Sequence, residues 1–303
     1  MEEIRFRAMG SEIHLVVMGD HRLLDVARRR IDDLERKWSR FIPTSEISRL
    51  NANRGEPVAV SDDTFLLVRR ALEGWRATGG RFDPTVLGDL VRAGYDRPFE
   101  AVVLHADGGV STLQRNCGAI VADAATGTVI LPVDAGFDPG GIGKGLAADT
   151  VATELIAAGA GGACVNVGGD LRVEGESPAG DAWVVGVDHP DGSAEIARIE
   201  LAAGAIATSG TRARAWTVGG ERRHHLIDPR TGRSSGTAVV ALTAVAREAA
   251  RAEVATKAAL LSLPGWELDT LEELGCDGLL VDEDGEVRIS YNMDRFLQKA
   301  LAS

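Results

Sequence analysis

A chain of 303 residues, 45% apolar and 26% charged, can bury one large core or two modest ones and need not be disordered. Charges or glycines interrupt every apolar run short of the roughly 18 residues a spanning helix needs, so membrane insertion is not expected. The formal net charge of -12 opposes sequence-independent attraction to nucleic acid, and the basic block Glu221-Arg-Arg-His-His225 is too short to reverse it.

Along the chain, Gly10 to Met18 alternates and then runs apolar as a strand does. Arg22 to Trp38 sets Leu23, Val26, Ile31, Leu34 and Trp38 at helical spacing. Ser61 is placed as the N-cap of a helix over Asp62 to Thr78, ended by Gly79-Gly80, and the Pro-containing stretch before it reads as loop. Residues 99–133 read as short strands broken by Gly108-Gly109 and Gly127, and Leu146 to Ala158 as an Ala-rich helix. Ala163 to Val173, Trp183 to Val187, Ile196 to Leu201 and Val239 to Val245 are the remaining strand candidates, followed by a helix over Ala249 to Ser262. This order, without strict β-α-β alternation, predicts an α+β fold of mixed, largely antiparallel sheets with flanking helices. Residues 1–303 are expected to form one domain built from two packed α/β halves.

The opening Met1-Glu-Glu-Ile-Arg-Phe-Arg carries neither the apolar segment nor the cleavage site of an export signal. Cys117, Cys164 and Cys276 stand far apart with no C-x-x-C pair, so neither a disulfide framework nor a thiolate metal site is indicated. A cytoplasmic location is the expectation.

Three units are dense in chemistry-bearing residues. Asp138-Pro-Gly-Gly-Ile-Gly-Lys-Gly145 precedes a helix, where exposed N–H groups, glycines permitting close approach and the Lys144 charge suit a phosphate. The cluster reads equally as a tight structural turn. It is no P-loop, because Asp138 and Gly145 stand where that motif needs Gly and Ser or Thr, and it meets G-x-G-x-x-G/A only loosely. Asn166-Val-Gly-Gly-Asp-Leu171 ends a strand in two glycines and by itself reads as a β-turn. His225-Leu-Ile-Asp-Pro-Arg-Thr-Gly232 gathers an imidazole, a carboxylate, a guanidinium and a hydroxyl around a Pro-kinked turn; His225 either binds or protonates a phosphate or is a satisfied structural residue. Gly232-Arg-Ser-Ser-Gly236 matches G-x-S-x-G, but a Pro turn precedes it and a strand-like run follows, which excludes a nucleophile elbow.

Taken in order, these units resemble the ApbE family, the FAD:protein FMN transferases. Met9-Gly-Ser resembles M-G-T, Phe41 to Asn51 the aromatic-x-P-x-S-E-[IL]-S-x-[LF]-N stretch, and Phe82-Asp-Pro-Thr-Val its F-D-P-T-V. Asp138 to Gly145 resembles D-L-G-G-I-A-K-G, Asn166 to Leu171 N-[AV]-G-G-D-[IL], Ala207-Thr-Ser-Gly210 A-T-S-G, and His225 to Gly232 H-I-I-D-P-R-T-G. The resemblance implies an ApbE-like (T-fold-like) architecture and transfer of FMN from FAD to a Thr or Ser hydroxyl of an acceptor protein, releasing AMP. It implies a divalent cation, Mg²⁺ or Mn²⁺, at the pyrophosphate. It implies that Met9, Phe41, Phe82, Asp83, Asp138, Lys144 and His225 bind FAD, with Lys144 and His225 as catalytic candidates. Phe41 stands where tyrosine is more usual, which keeps stacking and loses a hydroxyl.

The late motif D-A-L-A-T supplies an aspartate and, one turn on, a threonine to the cation. Here the stretch is Ala252-Glu-Val-Ala-Thr256, so Thr256 fits and Ala252 replaces the aspartate. Glu253, one position away, is then either a substitute ligand or an exposed helix charge; the Gly141 backbone carbonyl is the third implied ligand. The implied acceptor carries D-x-x-[ST]-G-A-[ST], which Asp123-Ala-Ala-Thr-Gly-Thr128 of this chain misses by its alanine and reads as a strand turn. Two alternatives stay open: an FAD pyrophosphatase yielding FMN and AMP, and a non-catalytic FAD-binding protein.

Overall fold

The computed structural model describes residues 1–102 and 108–298. The chain divides into two compact units, one of Met1–Ile31, Lys144–Gly210 and Ala238–Ser303, the other of Asp32–Gly143 and Thr211–Thr237.

The first unit is built on an eight-stranded sheet of β1 (Glu2–Ala8), β2 (Ser11–Met18), β3 (Gly162–Val167), β4 (Asp170–Gly175), β5 (Gly204–Gly210), β6 (Val239–Ala246), β7 (Asp277–Asp282) and β8 (Val287–Ile289). The strands lie across the sheet in that order, and every neighbouring pair is antiparallel. Period-two burial sets the register: Ile13, Leu15 and Val17 of β2 and Ala163, Val165 and Val167 of β3 are fully buried. Two hairpins close through two-residue turns of positive φ, whose twist matches that of the strands. Met9 (φ 52°) and Gly10 (φ 64°) join β1 to β2, and Gly168 (φ 62°) and Gly169 (φ 92°) join β3 to β4. The single strand expected over Ala163 to Val173 is therefore two, because the paired glycines reverse the chain.

One core of this unit gathers Val16, Val173, Ile206, Val245 and Leu279 from the sheet, with Trp183, Ile199 and Leu201 from the hairpin Trp183–Asp188 and Glu195–Leu201. The expected helices form as α1 (Arg22–Trp38), α2 (Gly143–Ala157) and α3 (Ala249–Leu260). α3 packs on β5 and β6. All but one of its residues are buried, so it shows no polar face. α2 starts three residues earlier than Leu146, because Gly145 can approach α3 closely: a Cβ there would lie 2.5 Å from the Ala249 carbonyl.

The second unit holds the three-stranded sheet Val58–Ala59, Thr128–Ile130 and Val121–Asp123, with two short hairpins, Ala215–Val218 with Glu221–His224 and Ile227–Asp228 with Arg233–Ser234. Asp123 accepts from Ala125 N at 2.9 Å and from Thr126 Oγ1 at 2.9 Å, making the stretch that follows it a strand turn. Of the run of strands expected over 99–133, only Val121–Asp123 and Thr128–Ile130 form; Phe99–Val102 is helical, and residues 103–107 lie outside the described residues. Glu46–Ala52, expected as loop, is a helix because Ser45 accepts from Ser48 N at 3.0 Å as its N-cap. Ser61 occupies the N-cap position of Asp62–Ala77, but its hydroxyl donates to Glu46 Oε2 at 2.8 Å instead of capping. The core of this unit is aromatic: Tyr95 and Trp216 lie 5.4 Å apart, and Trp216 Nε1 donates to Ala93 O at 2.8 Å.

Candidate functional site

In the first unit, the start of α2 and the middle of α3 enclose two carboxylates and two ammonium groups. Glu253, 0% exposed, accepts the Gly145 N–H on Oε2 at 2.8 Å. Its Oε1 lies 3.2 Å from Lys257 Nζ and 3.6 Å from Lys144 Nζ. Lys144 makes its tighter pair with Oδ2 of Asp170, also 0% exposed, while Asp170 Oδ1 is buried without a hydrogen-bond partner. Lys257 Nζ further donates to Ser209 Oγ at 3.3 Å and to Glu253 O at 3.2 Å. Thr256 Oγ1 stands 2.7 Å from Ser209 Oγ and donates to Glu253 O at 2.9 Å.

The charges of this cluster balance, two against two. Burial works against the Glu253 carboxylate, yet Lys257 and Lys144 beside it hold its carboxyl below the usual range. Burial pulls the Lys257 ammonium below its usual range against the opposing pull of Glu253 and Asp170. Asp170 is pushed up to about 6, by burial above all and further by Glu253. The exposed-charge reading of Glu253 is thereby excluded.

Asp149, on the second turn of α2, takes the N–H groups of Ala249 and Ala250 at 2.8 and 2.9 Å and so caps α3; burial raises its carboxyl to about 6.

In the second unit, Arg40 organises a separate group. Its Nε meets Asp138 Oδ2 at 2.7 Å, both side chains 8% exposed, and its NH2 donates to Tyr95 O at 2.8 Å. The guanidinium carbon stands 4.1 Å from the Phe41 ring centre and 4.8 Å from that of Tyr95. Asp138 Oδ1 accepts from Gly140 N at 2.6 Å, which shapes the loop containing Gly141. Gly140, Gly141, Gly143 and Gly145 are not of positive φ; a Cβ would stand 2.7 Å from Asp138 Oδ1 at Gly140 and 2.5 Å from the Ala249 carbonyl at Gly145, so close approach is what those two serve.

Asp83 Oδ1 accepts from Thr85 N at 2.7 Å and Thr85 Oγ1 at 2.5 Å, and burial raises its carboxyl. Phe82 beside it is 4% exposed. Asp228 shapes the Pro turn after His225 by accepting from Arg230 N at 2.8 Å and pairing with its guanidinium at 2.9 Å. His224 is fixed by Ser235 O at 3.0 Å, and Ser234 sits in a two-residue strand with no helix after it, as the exclusion of a nucleophile elbow requires.

Of the expected site residues, Lys144, Glu253 and Thr256 come together, and Phe41 and Asp138 meet through Arg40. Met9 holds a hairpin turn in the left-handed region, which costs a non-glycine residue roughly 1–3 kcal/mol. Sequence reasoning missed Lys257, Asp170, Ser209 and Arg40. The i, i+4 spacing of Glu253 and Lys257 is the available signal for the first; Asp170 and Ser209 lie within the motifs Asn166 to Leu171 and Ala207 to Gly210, and nothing local marks Arg40. Among the described residues, no three His, Cys, Asp or Glu are placed to hold a metal ion.

The class defined here is an α+β protein of two units with a buried ion-pair cluster at the head of a glycine-led helix. The sequence profile of the ApbE family matches residues 9–280. An FAD:protein FMN transferase of Treponema pallidum is 31% identical over 81% of this chain and 73% of its own length. Another of the same name from Vibrio cholerae is 30% identical over 71% of this chain, and the match spans just under two thirds, 66%, of that relative. The crystal structure of the ApbE protein from Thermotoga maritima superimposes with a TM-score of 0.86 at 26% identity, covering 98% of this chain and 99% of that one. The chain belongs to the ApbE family.

Proposed function

We propose that the protein is an FAD:protein FMN transferase that places FMN on a Thr or Ser hydroxyl of an acceptor carrying D-x-x-[ST]-G-A-[ST]. The observation that carries this reading is the family match from residue 9 to 280, taken with relatives of that name. The acceptor oxygen forms a bond to the FMN phosphorus as the bond from that phosphorus to the bridging oxygen breaks. AMP leaves with that oxygen, and the hydroxyl proton passes to solvent, so FAD and the acceptor hydroxyl give FMN-acceptor, AMP and one proton.

Lys144 and His225 are the groups assigned to the reacting phosphate, Lys144 as fixed positive charge and His225 as hydrogen-bond or proton donor. Phe41, Phe82 and Met9 are assigned to the rings of FAD, and Asp83 and Asp138 to its polar edges. Support for Asp138 and Phe41 comes from Arg40, which fixes both. Buried as it stands, Phe82 must turn outward or act by shaping the wall.

The resemblance implies Mg²⁺ or Mn²⁺ held by Gly141, Glu253 and Thr256. The donors around Glu253 do not fit a resident divalent ion: both carboxylate oxygens already have donors, the Thr256 hydroxyl is turned to Ser209 and the Glu253 carbonyl, and two ammonium groups flank the carboxylate.

The test is incubation with FAD and an acceptor domain, read by intact mass. A gain of one FMN per acceptor with AMP released supports the transferase; AMP and free FMN without labelling would replace it with the pyrophosphatase, and intact bound FAD with a binding protein.

A further inference from the structure

We infer that Lys257 is a built-in cation: its ammonium takes the place that the family motif gives to a divalent metal ion, so that the site handles the FAD pyrophosphate without Mg²⁺ or Mn²⁺. The catalytic half of this inference rests on the transferase reading above; its metal-binding half does not.

Two features of α3 meet within about a turn and a half. The motif's aspartate position is Ala252, 0% exposed and without a ligand atom in its side chain, and the residue following Thr256 is a lysine. That lysine is 8% exposed and lies among three oxygens at 3.2 to 3.3 Å: Ser209 Oγ, Glu253 O and Glu253 Oε1. An ammonium group has three hydrogens to give, and these oxygens take all three. A divalent ion such as Mg²⁺ needs about six oxygens at roughly 2.0–2.1 Å, several from water, and this cluster supplies a positive charge where such an ion would have to settle. With Lys144 on the same carboxylate oxygen at 3.6 Å, an ion bound to Glu253 would meet two like charges within a contact or so. Glu253 thus serves as counter-ion to the lysines and anchor of Gly145 N, where a metal ligand would have its lone pairs free.

Mn²⁺ is titrated into the protein by calorimetry, and FAD affinity is measured with chelator and with Mg²⁺. The wild-type chain is expected to take up no Mn²⁺ that Glu253→Gln abolishes, and its FAD affinity is expected to agree within about twofold in the two conditions. Lys257→Met, which keeps length and apolar stem, frees the Glu253 carboxylate and is expected to gain Mn²⁺ binding. Its FAD affinity in chelator should fall by about tenfold or more and recover with the metal. Lys257→Gln is carried beside it, so that a folding defect in one leaves the other to decide. One Mn²⁺ bound by wild type and lost in Glu253→Gln overturns the inference, as does a folded Lys257 variant that gains no metal. FAD binding in neither condition sinks the transferase reading, while the Mn²⁺ titration still decides the role of Lys257.

Discussion

The Glu253 carboxylate, fully buried on α3, accepts the backbone N–H of Gly145 at 2.8 Å, 108 residues away along the chain. That bond ties the first turn of α2 to a residue that also holds Lys257 and faces Lys144. Glu253→Ala leaves two ammonium groups facing the single carboxylate of Asp170, and Lys257 loses its ion-pair partner in the interior. The expected loss is about 3–5 kcal/mol in denaturant unfolding; a loss below about 1 kcal/mol would mean that the cluster is solvated.

Gly143 and Gly145 are two positions apart and predict opposite outcomes. A Cβ on Gly145 would stand 2.5 Å from the Ala249 carbonyl, whereas one on Gly143 meets only Pro139 Cβ at 3.7 Å. Gly145→Ala should destabilise by about 1–3 kcal/mol, and Gly143→Ala should stay within about 0.5 kcal/mol. Equal effects would show that backbone approach is not what the glycine at 145 serves.

Asp149 gives a pH signature. Its carboxyl is raised from 3.8 to about 6 in the folded protein, with burial outweighing the two N–H groups of α3. A group raised in this way contributes its full stability below about 3.8, and that contribution fades as pH climbs to about 6. The stability of wild type relative to Asp149→Asn should therefore drop by up to roughly 3 kcal/mol over that window and stay level above it. A relative stability that rises with pH would mean that helix capping outweighs burial.

Arg40 makes an ion pair, a carbonyl bond and two ring contacts that an ammonium cannot reproduce together. Arg40→Lys is expected to lower stability by about 1–3 kcal/mol and to weaken FAD binding through Asp138 and Phe41. Unchanged FAD affinity in a destabilised variant would confine Arg40 to a structural role.

What could be read in the sequence divides along physical lines. α1 was legible to the residue because one polar and one buried face alternate at helical spacing along it. β3 and β4 merged into one strand, since Val167 and Leu171 are equally apolar and the reversal depends on positive φ at Gly168 and Gly169. Neighbours in the large sheet come from distant parts of the chain, and no local pattern records such pairing. In the candidate site, Lys144 stood out by its glycines. Glu253 was ambiguous because α3 is buried nearly all round and offers no stripe to say which way it points. Lys257 and Arg40 look like surface charges in one dimension; Lys257 has its carboxylate one turn away at Glu253, while Asp138 reaches Arg40 only through the fold.

Flavin transfer is tested most directly by the intact mass of a D-x-x-[ST]-G-A-[ST] acceptor after incubation with this protein and FAD, in chelator and in Mg²⁺. One FMN added per acceptor in both conditions, with matching release of AMP, is the predicted result. An acceptor of unchanged mass in both, beside intact FAD, would contradict it.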